Sequence, residues 1–97
     1  MGVKHAREYA VIIDDMVRGI GQVNNVYEFF DMTEGEWLEL ELPEQEECLK
    51  TLADDIFYGL GSEPVMNVGD GVIRHDGDNH VIRVHDGDNL ISVIYLI

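Results

Sequence analysis

Hydrophobic and polar positions follow two different periods along this chain. Over residues 4–20, Ala6, Tyr9, Ala10, Ile13, Met16, Val17 and Ile20 recur at the three- and four-residue spacing of a helix with one buried face. The pattern predicts a first helix ending at Gly19-Ile20-Gly21 on a left-handed glycine, with Asn24-Asn25 lengthening the break. Residues 26–32 (VYEFFDM) fit either a strand or a short helix, and their aromatic content favours a strand. Thr33-Glu34-Gly35 reads as a turn. Residues 36–42 then alternate as a half-buried strand does, with Leu38, Leu40 and Leu42 on one face and Trp37, Glu39 and Glu41 on the other.

Pro43 suits a first helical position, and Glu44, Glu46 and Glu47 crowd a first turn where the helix dipole favours negative charge. A second helix is expected from here to Gly59-Leu60-Gly61. It buries Cys48, Leu49, Leu52, Ala53, Ile56, Phe57 and Leu60 and turns Glu47, Thr51, Asp54, Asp55 and Tyr58 outward. From residue 65 the period is two, and an internal duplication repeats the tetrapeptide DGDN at Asp76 and Asp86. Asp, Gly and Asn suit tight hairpin turns, so each DGDN joins two antiparallel strands in a three-stranded meander. Residues 90–97 are apolar on both faces apart from Ser92, which predicts a central strand or one covered by a partner. The expected fold class is α+β. Two helices pack on one face of a mostly antiparallel sheet of about five strands, in a single domain over residues 1–97.

Charge changes this picture from a fold to a surface. The chain has 20 acidic and 6 basic side chains and a formal net charge of −14. Nine of the carboxylates fall in residues 28–47, and no Lys or Arg occurs in residues 19–49. Such a molecule repels nucleic acid and anionic membrane and attracts basic protein surfaces. Disorder is disfavoured by apolar runs such as VIRV and LISVIYLI. On an extended strand, side chains two apart lie ~6.7 Å from each other, inside the ~8 Å screening length of physiological salt, so Glu39 and Glu41 repel. With Trp37 on the same face they form a negative surface with an aromatic anchor. Carboxylates at this density imitate a nucleic-acid backbone, which carries one charge per ~3.4 Å of strand. The competing reading is an acidic face kept for solubility, or the composition of a salt-adapted proteome. The candidate partner-binding residues are Glu34, Glu36, Trp37, Glu39, Glu41, Glu44, Glu47, Asp54 and Asp55, with Tyr58 as a second aromatic anchor.

Other chemistry is less well supported. The DGDN loops set oxygen ligands on alternate positions, which makes Asp76, Asp78, Asp86 and Asp88 the alternative site, for calcium. No Glu follows Glu63 to complete a calcium loop, and plain turns account for the same residues. His75, His80 and His85 are spaced for a transition metal only if the turns bring them together. Neither Ser62 nor Ser92 lies in a nucleophile-elbow sequence, and Cys48 falls on a buried helix face where a thiol is inert. Asp14-Asp15 and Asp54-Asp55 are sequence neighbours ~100° apart on a helix, so they are not paired catalytic acids. Gly69-Asp70-Gly71 lacks the Lys of a phosphate loop. One cysteine excludes an internal disulfide and fits a reducing compartment. With neither a leader sequence nor an apolar run near ~20 residues, a cytoplasmic chain is expected.

In charge and size the chain resembles the phage-encoded nucleic-acid mimics that disarm restriction, CRISPR or repair enzymes, and the immunity proteins that block nuclease toxins. That resemblance implies a non-enzymatic inhibitor without cofactors, masking the basic, nucleic-acid-binding surface of a partner, in the host cytoplasm if viral. A self-associating module that pairs its terminal strand with a second copy, as a homodimer, is the alternative.

Overall fold

A computed structural model, describing residue 3 and residues 5–97, shows an α+β architecture. Among the described residues are three α-helices, a 3₁₀ turn and four antiparallel strands. None of these helices is long and apolar enough to cross a membrane.

Helix α1 spans Tyr9–Ile20 and buries Ile12, Ile13, Met16 and Ile20. It starts later than its periodicity suggests. The N–H groups of Ala6 and Arg7 are instead drawn to the carbonyl of Leu96, at 2.7 and 3.1 Å. Position 4 lies outside the described residues. Gly19 is buried where α1 meets the sheet, and a Cβ there would sit 2.9 Å from the Ser92 side chain. Close approach, rather than chain reversal, is what this glycine provides.

Helix α3 spans Leu42–Gly59, with Pro43 in its first turn, and buries Leu49, Leu52, Ala53, Ile56 and Phe57 against α1 and the sheet. Each fully buried aliphatic side chain in this core contributes about 1.5–3 kcal/mol relative to an exposed one. The expected left-handed helix ends do not form. Gly21 and Leu60 have φ of −62° and −66°, and both helices close with right-handed turns.

The sheet is a simple meander of β1 (Val65–Val68), β2 (Gly71–Asp76), β3 (Val81–Asp86) and β4 (Asn89–Tyr95). The sheet has four strands where about five were expected; its meander gains one strand over the three expected because residues 65–68 pair with β2, and the two strands expected earlier in the chain are missing. Met66, Val68, Ile73, Ile82, Val84 and Ile94 face the helices. Both DGDN segments are hairpin turns, as expected. The first closes a four-residue loop with His80 at φ 54°, and the second a two-residue loop with Gly87 at φ 60°. β4 is an edge strand and not a central one, since a meander leaves its last strand at the margin.

The two strands expected before α3 do not exist. Val26–Phe30 is a 3₁₀ turn bracketed by left-handed Asn25 and Asp31, and Glu34–Glu39 is helix α2. α2 starts because Thr33 accepts the N–H of Glu36 at 3.2 Å while the Glu36 carboxylate accepts the N–H of Thr33 at 3.1 Å. Two reciprocal bonds to otherwise orphaned donors outweigh the period-two pattern of the leucines. Leu38 and Leu42, read as buried, are 68% and 73% exposed.

Candidate functional site

The acidic stretch folds into a shelf made of α2 and the exposed stripe of α3. Glu34 and Glu36 lie in the first turn of α2, Glu39 ends it, Glu41 is the N-cap of α3, and Glu44 occupies its third position. Glu47 and Asp55 follow on α3 and are exposed. On a helix, Glu44, Glu47, Thr51, Asp55 and Tyr58 fall on one stripe by steps of three and four. Tyr58 ends that stripe 69% exposed.

Two carboxylates of the shelf also cap helices. Glu36 holds the N–H of Thr33, and Glu44 accepts the N–H of Glu41 at 3.1 Å. Placed near helix N-termini, both are favoured by the dipole as well. Glu39, at a helix C-terminus, has the opposite sign of that interaction. Asp54 leaves the shelf, because it is half-buried and accepts a hydrogen bond from the Tyr9 hydroxyl on α1. Burial, with the neighbouring carboxylate of Asp54 behind it, pushes the Tyr9 phenol well above the ordinary tyrosine range.

Trp37 is not the outward anchor expected of it. Its ring is half-buried and stacks on Phe30 at a centroid separation of 5.8 Å and an interplanar angle of 5°. The Trp37 carbonyl accepts from Gln45 Nε2 at 2.8 Å, which ties α2 to α3. Tyr27 donates to Asn25 Oδ1 at 2.7 Å. Partial desolvation, then the nearby Glu34 and Glu28, raise its phenol pKa. These aromatics hold the shelf in place. A groove of about 300 Å³ between the loop before the 3₁₀ turn and α2 includes Val26, Glu34, Trp37 and Leu38 in its lining. The apolar groups that do reach solvent here are Phe29, Leu38 and Leu42, at 45%, 68% and 73% exposure. The alternating strand pattern assigned the two leucines to the core, so nothing in that reading pointed to them.

Few of the described carboxylates are paired, and the shelf is distinguished by how closely its unpaired ones are gathered. Among the described residues Arg7 and Arg18 both pair with Asp15, and Arg83 pairs with Asp76 at 2.7 Å. Among the described residues no ion pair involves a carboxylate from residues 28–47.

The alternative DGDN site is built for turns. Asp76 accepts the N–H groups of Asp78 and Asn79 at 3.1 Å, Asn79 Nδ2 at 2.8 Å and Arg83 Nη1 at 2.7 Å. Those bonds, from Asn79 first and Arg83 next, hold its carboxyl well below the usual carboxylate range. Asp86 accepts the N–H of Asn24 at 3.0 Å, which pins the loop after α1 to the second hairpin. Asp78 and Asp88 lie exposed in the two turns. His75 and His85 belong to opposite faces of the sheet by register, and His80 sits in a loop. No group of three or more His, Cys, Asp or Glu among the described residues is arranged to hold a metal ion.

No protein-family model, curated protein or solved structure matches this chain.

Proposed function

We propose that the α2–α3 shelf binds a basic protein surface, masking a groove that would otherwise hold nucleic acid. The observation that carries this reading is the crowding of carboxylates without internal partners, nine of them within residues 28–47 and no Lys or Arg in residues 19–49. The shelf's carboxylates make no ion pair within the described chain, whereas Asp15 and Asp76 elsewhere do. Like charges gathered without counterions destabilise a fold, and such a cost is offset when a cationic partner neutralises them. Glu34, Glu36, Glu39, Glu41, Glu44, Glu47 and Asp55 supply the charge in place of phosphates. Leu38 and Leu42 supply apolar contact beside it, with Trp37 as their support and Tyr58 at the far end.

Binding of this kind is competitive with nucleic acid and needs neither a cofactor nor a covalent step. The partner proposed is a cytoplasmic nucleic-acid-binding enzyme. Tagged chain is incubated with nuclease-treated lysate at ~0.05 M and ~0.5 M salt, between which the screening length falls several-fold. A basic nucleic-acid enzyme retained at low salt, and displaced by added DNA or RNA, is the expected result. Retention that resists both salt and nucleic acid would sink the proposal.

A further inference from the structure

The sheet has two unlike edges. β1 has four residues and follows Pro64, whereas β4 has seven and carries neither a charge nor a proline. Exposed edges are ordinarily blunted by such residues, because unpaired N–H and C=O groups recruit other strands. The Leu96 N–H donates to the His80 carbonyl at 2.9 Å, which sets the phase of the β3–β4 ladder. In that phase Val93 and Tyr95 turn their backbone groups away from β3. Arg7 Nη1 donates to the Tyr95 carbonyl at 2.8 Å and closes one end of the edge. Among the described residues nothing takes the outward Val93 groups, beside Leu90, Tyr95 and Ile97, which are 51%, 59% and 63% exposed.

Charge selects the partner. No carboxylate side chain follows Asp88, so two copies of a chain of charge −14 meet with least repulsion along β4. The carboxylate tied to this edge through Arg7, Asp15, is already neutralised by Arg7 and Arg18. The strand is also self-complementary. Antiparallel pairing about a two-fold axis at Val93 sets Ile91 of one copy against Tyr95 of the other. We infer that β4 pairs with β4 of a second copy, joining two four-stranded sheets into one of eight. The shelf takes no part, so the dimer and the proposed docking surface are independent.

Sedimentation velocity on the full chain, from ~1 µM to ~100 µM, tests this, because a dimer's population depends on concentration. A dimer is expected that holds or tightens between ~0.05 M and ~0.5 M salt, since screening weakens repulsion between the copies. Val93→Pro removes the outward N–H at a position where an edge strand tolerates proline, and should raise the dissociation constant at least ~10-fold. Leu90→Lys places a charge on the same edge without altering the backbone, and should act likewise, with a thermal melt unchanged only at concentrations where both chains are monomeric. A monomer throughout the concentration range, dissociation at high salt, or a dimer that survives both substitutions would overturn the inference.

Discussion

If the shelf is held against its own repulsion, removing charge from it should stabilise the fold. Glu39→Gln, Glu47→Gln and Asp55→Asn change carboxylates that make no side-chain hydrogen bond among the described residues, and take the net charge from −14 to −11. Glu36–Glu39 and Glu44–Glu47 are like-charged pairs three apart, each destabilising by about 0.2–0.5 kcal/mol. Glu39 at the last position of α2 adds an unfavourable dipole interaction of about 0.3–1 kcal/mol. The sum is a gain of about 1 kcal/mol, or ~4–8 °C in melting temperature for a domain of this size. The contrasting variant, Glu36→Ala with Glu44→Ala, removes as many like-charged pairs but takes away both caps, and should lower stability instead.

Thermal unfolding followed by circular dichroism at ~0.05 M and ~0.5 M salt separates these effects, because screening erases the first and leaves most of the second. A triple variant that melts lower than the parent, or whose gain persists undiminished at high salt, would refute the account of the shelf as unpaired charge. The same triple change should weaken capture of a basic partner by ~3- to ~100-fold, taking ~0.2–1 kcal/mol for each lost charge contact.

Three further outcomes follow from the hydrogen bonds and backbone angles. Asp76 has a depressed pKa in the folded state, so its contribution is present above the ordinary carboxylate range and is lost as pH falls below about 4; Asp76→Asn should lower stability at neutral pH and flatten that acid dependence in a pH series of urea melts. Tyr9 has a raised pKa in the folded state, so its contribution is intact below about 10 and is lost as pH rises beyond it; Tyr9→Phe should melt lower near neutral pH yet lose less stability on going to alkaline pH. Gly69 has φ +55° and a Cβ there would lie 2.5 Å from the Asn25 carbonyl oxygen, whereas Gly87 at φ +60° has open space around it; in urea titrations Gly69→Ala should cost well over the ~1 kcal/mol of left-handed strain expected of Gly87→Ala.

Much of the fold is legible in the chain, and the misreadings have a common cause. α3 is written in its three- and four-residue spacing, with Pro43 at one end, and the hairpins are written in DGDN. Residues 36–42 mislead because Leu38, Leu40 and Leu42 alternate as strand residues do, although no sheet is there to bury them. The capping signature Thr33-x-x-Glu36 stood in the sequence and outranks that alternation, since it satisfies backbone donors locally. Residues 26–30 lack any such signature, and only the left-handed Asn25 and Asp31 on either side reveal the turn. The last strand looks central because a continuous apolar run is ambiguous between a buried strand and an unprotected edge. The acidic shelf was visible as charge, but its apolar component was assigned to Trp37 when the exposed groups are Leu38, Leu42 and Phe29.

Helix α2 buries no residue completely and is held by its capping box, one aromatic stack and the Gln45 bond to the Trp37 carbonyl. A segment so lightly fastened should open below the free energy of global unfolding, with its amides exchanging with solvent deuterium long before those of β3. Three of the shelf's seven carboxylates, Glu34, Glu36 and Glu39, sit on this lightly fastened segment. If the proposed basic partner docks there, a mobile α2 would let the surface adapt to grooves of different curvature, at the entropy cost of stilling it.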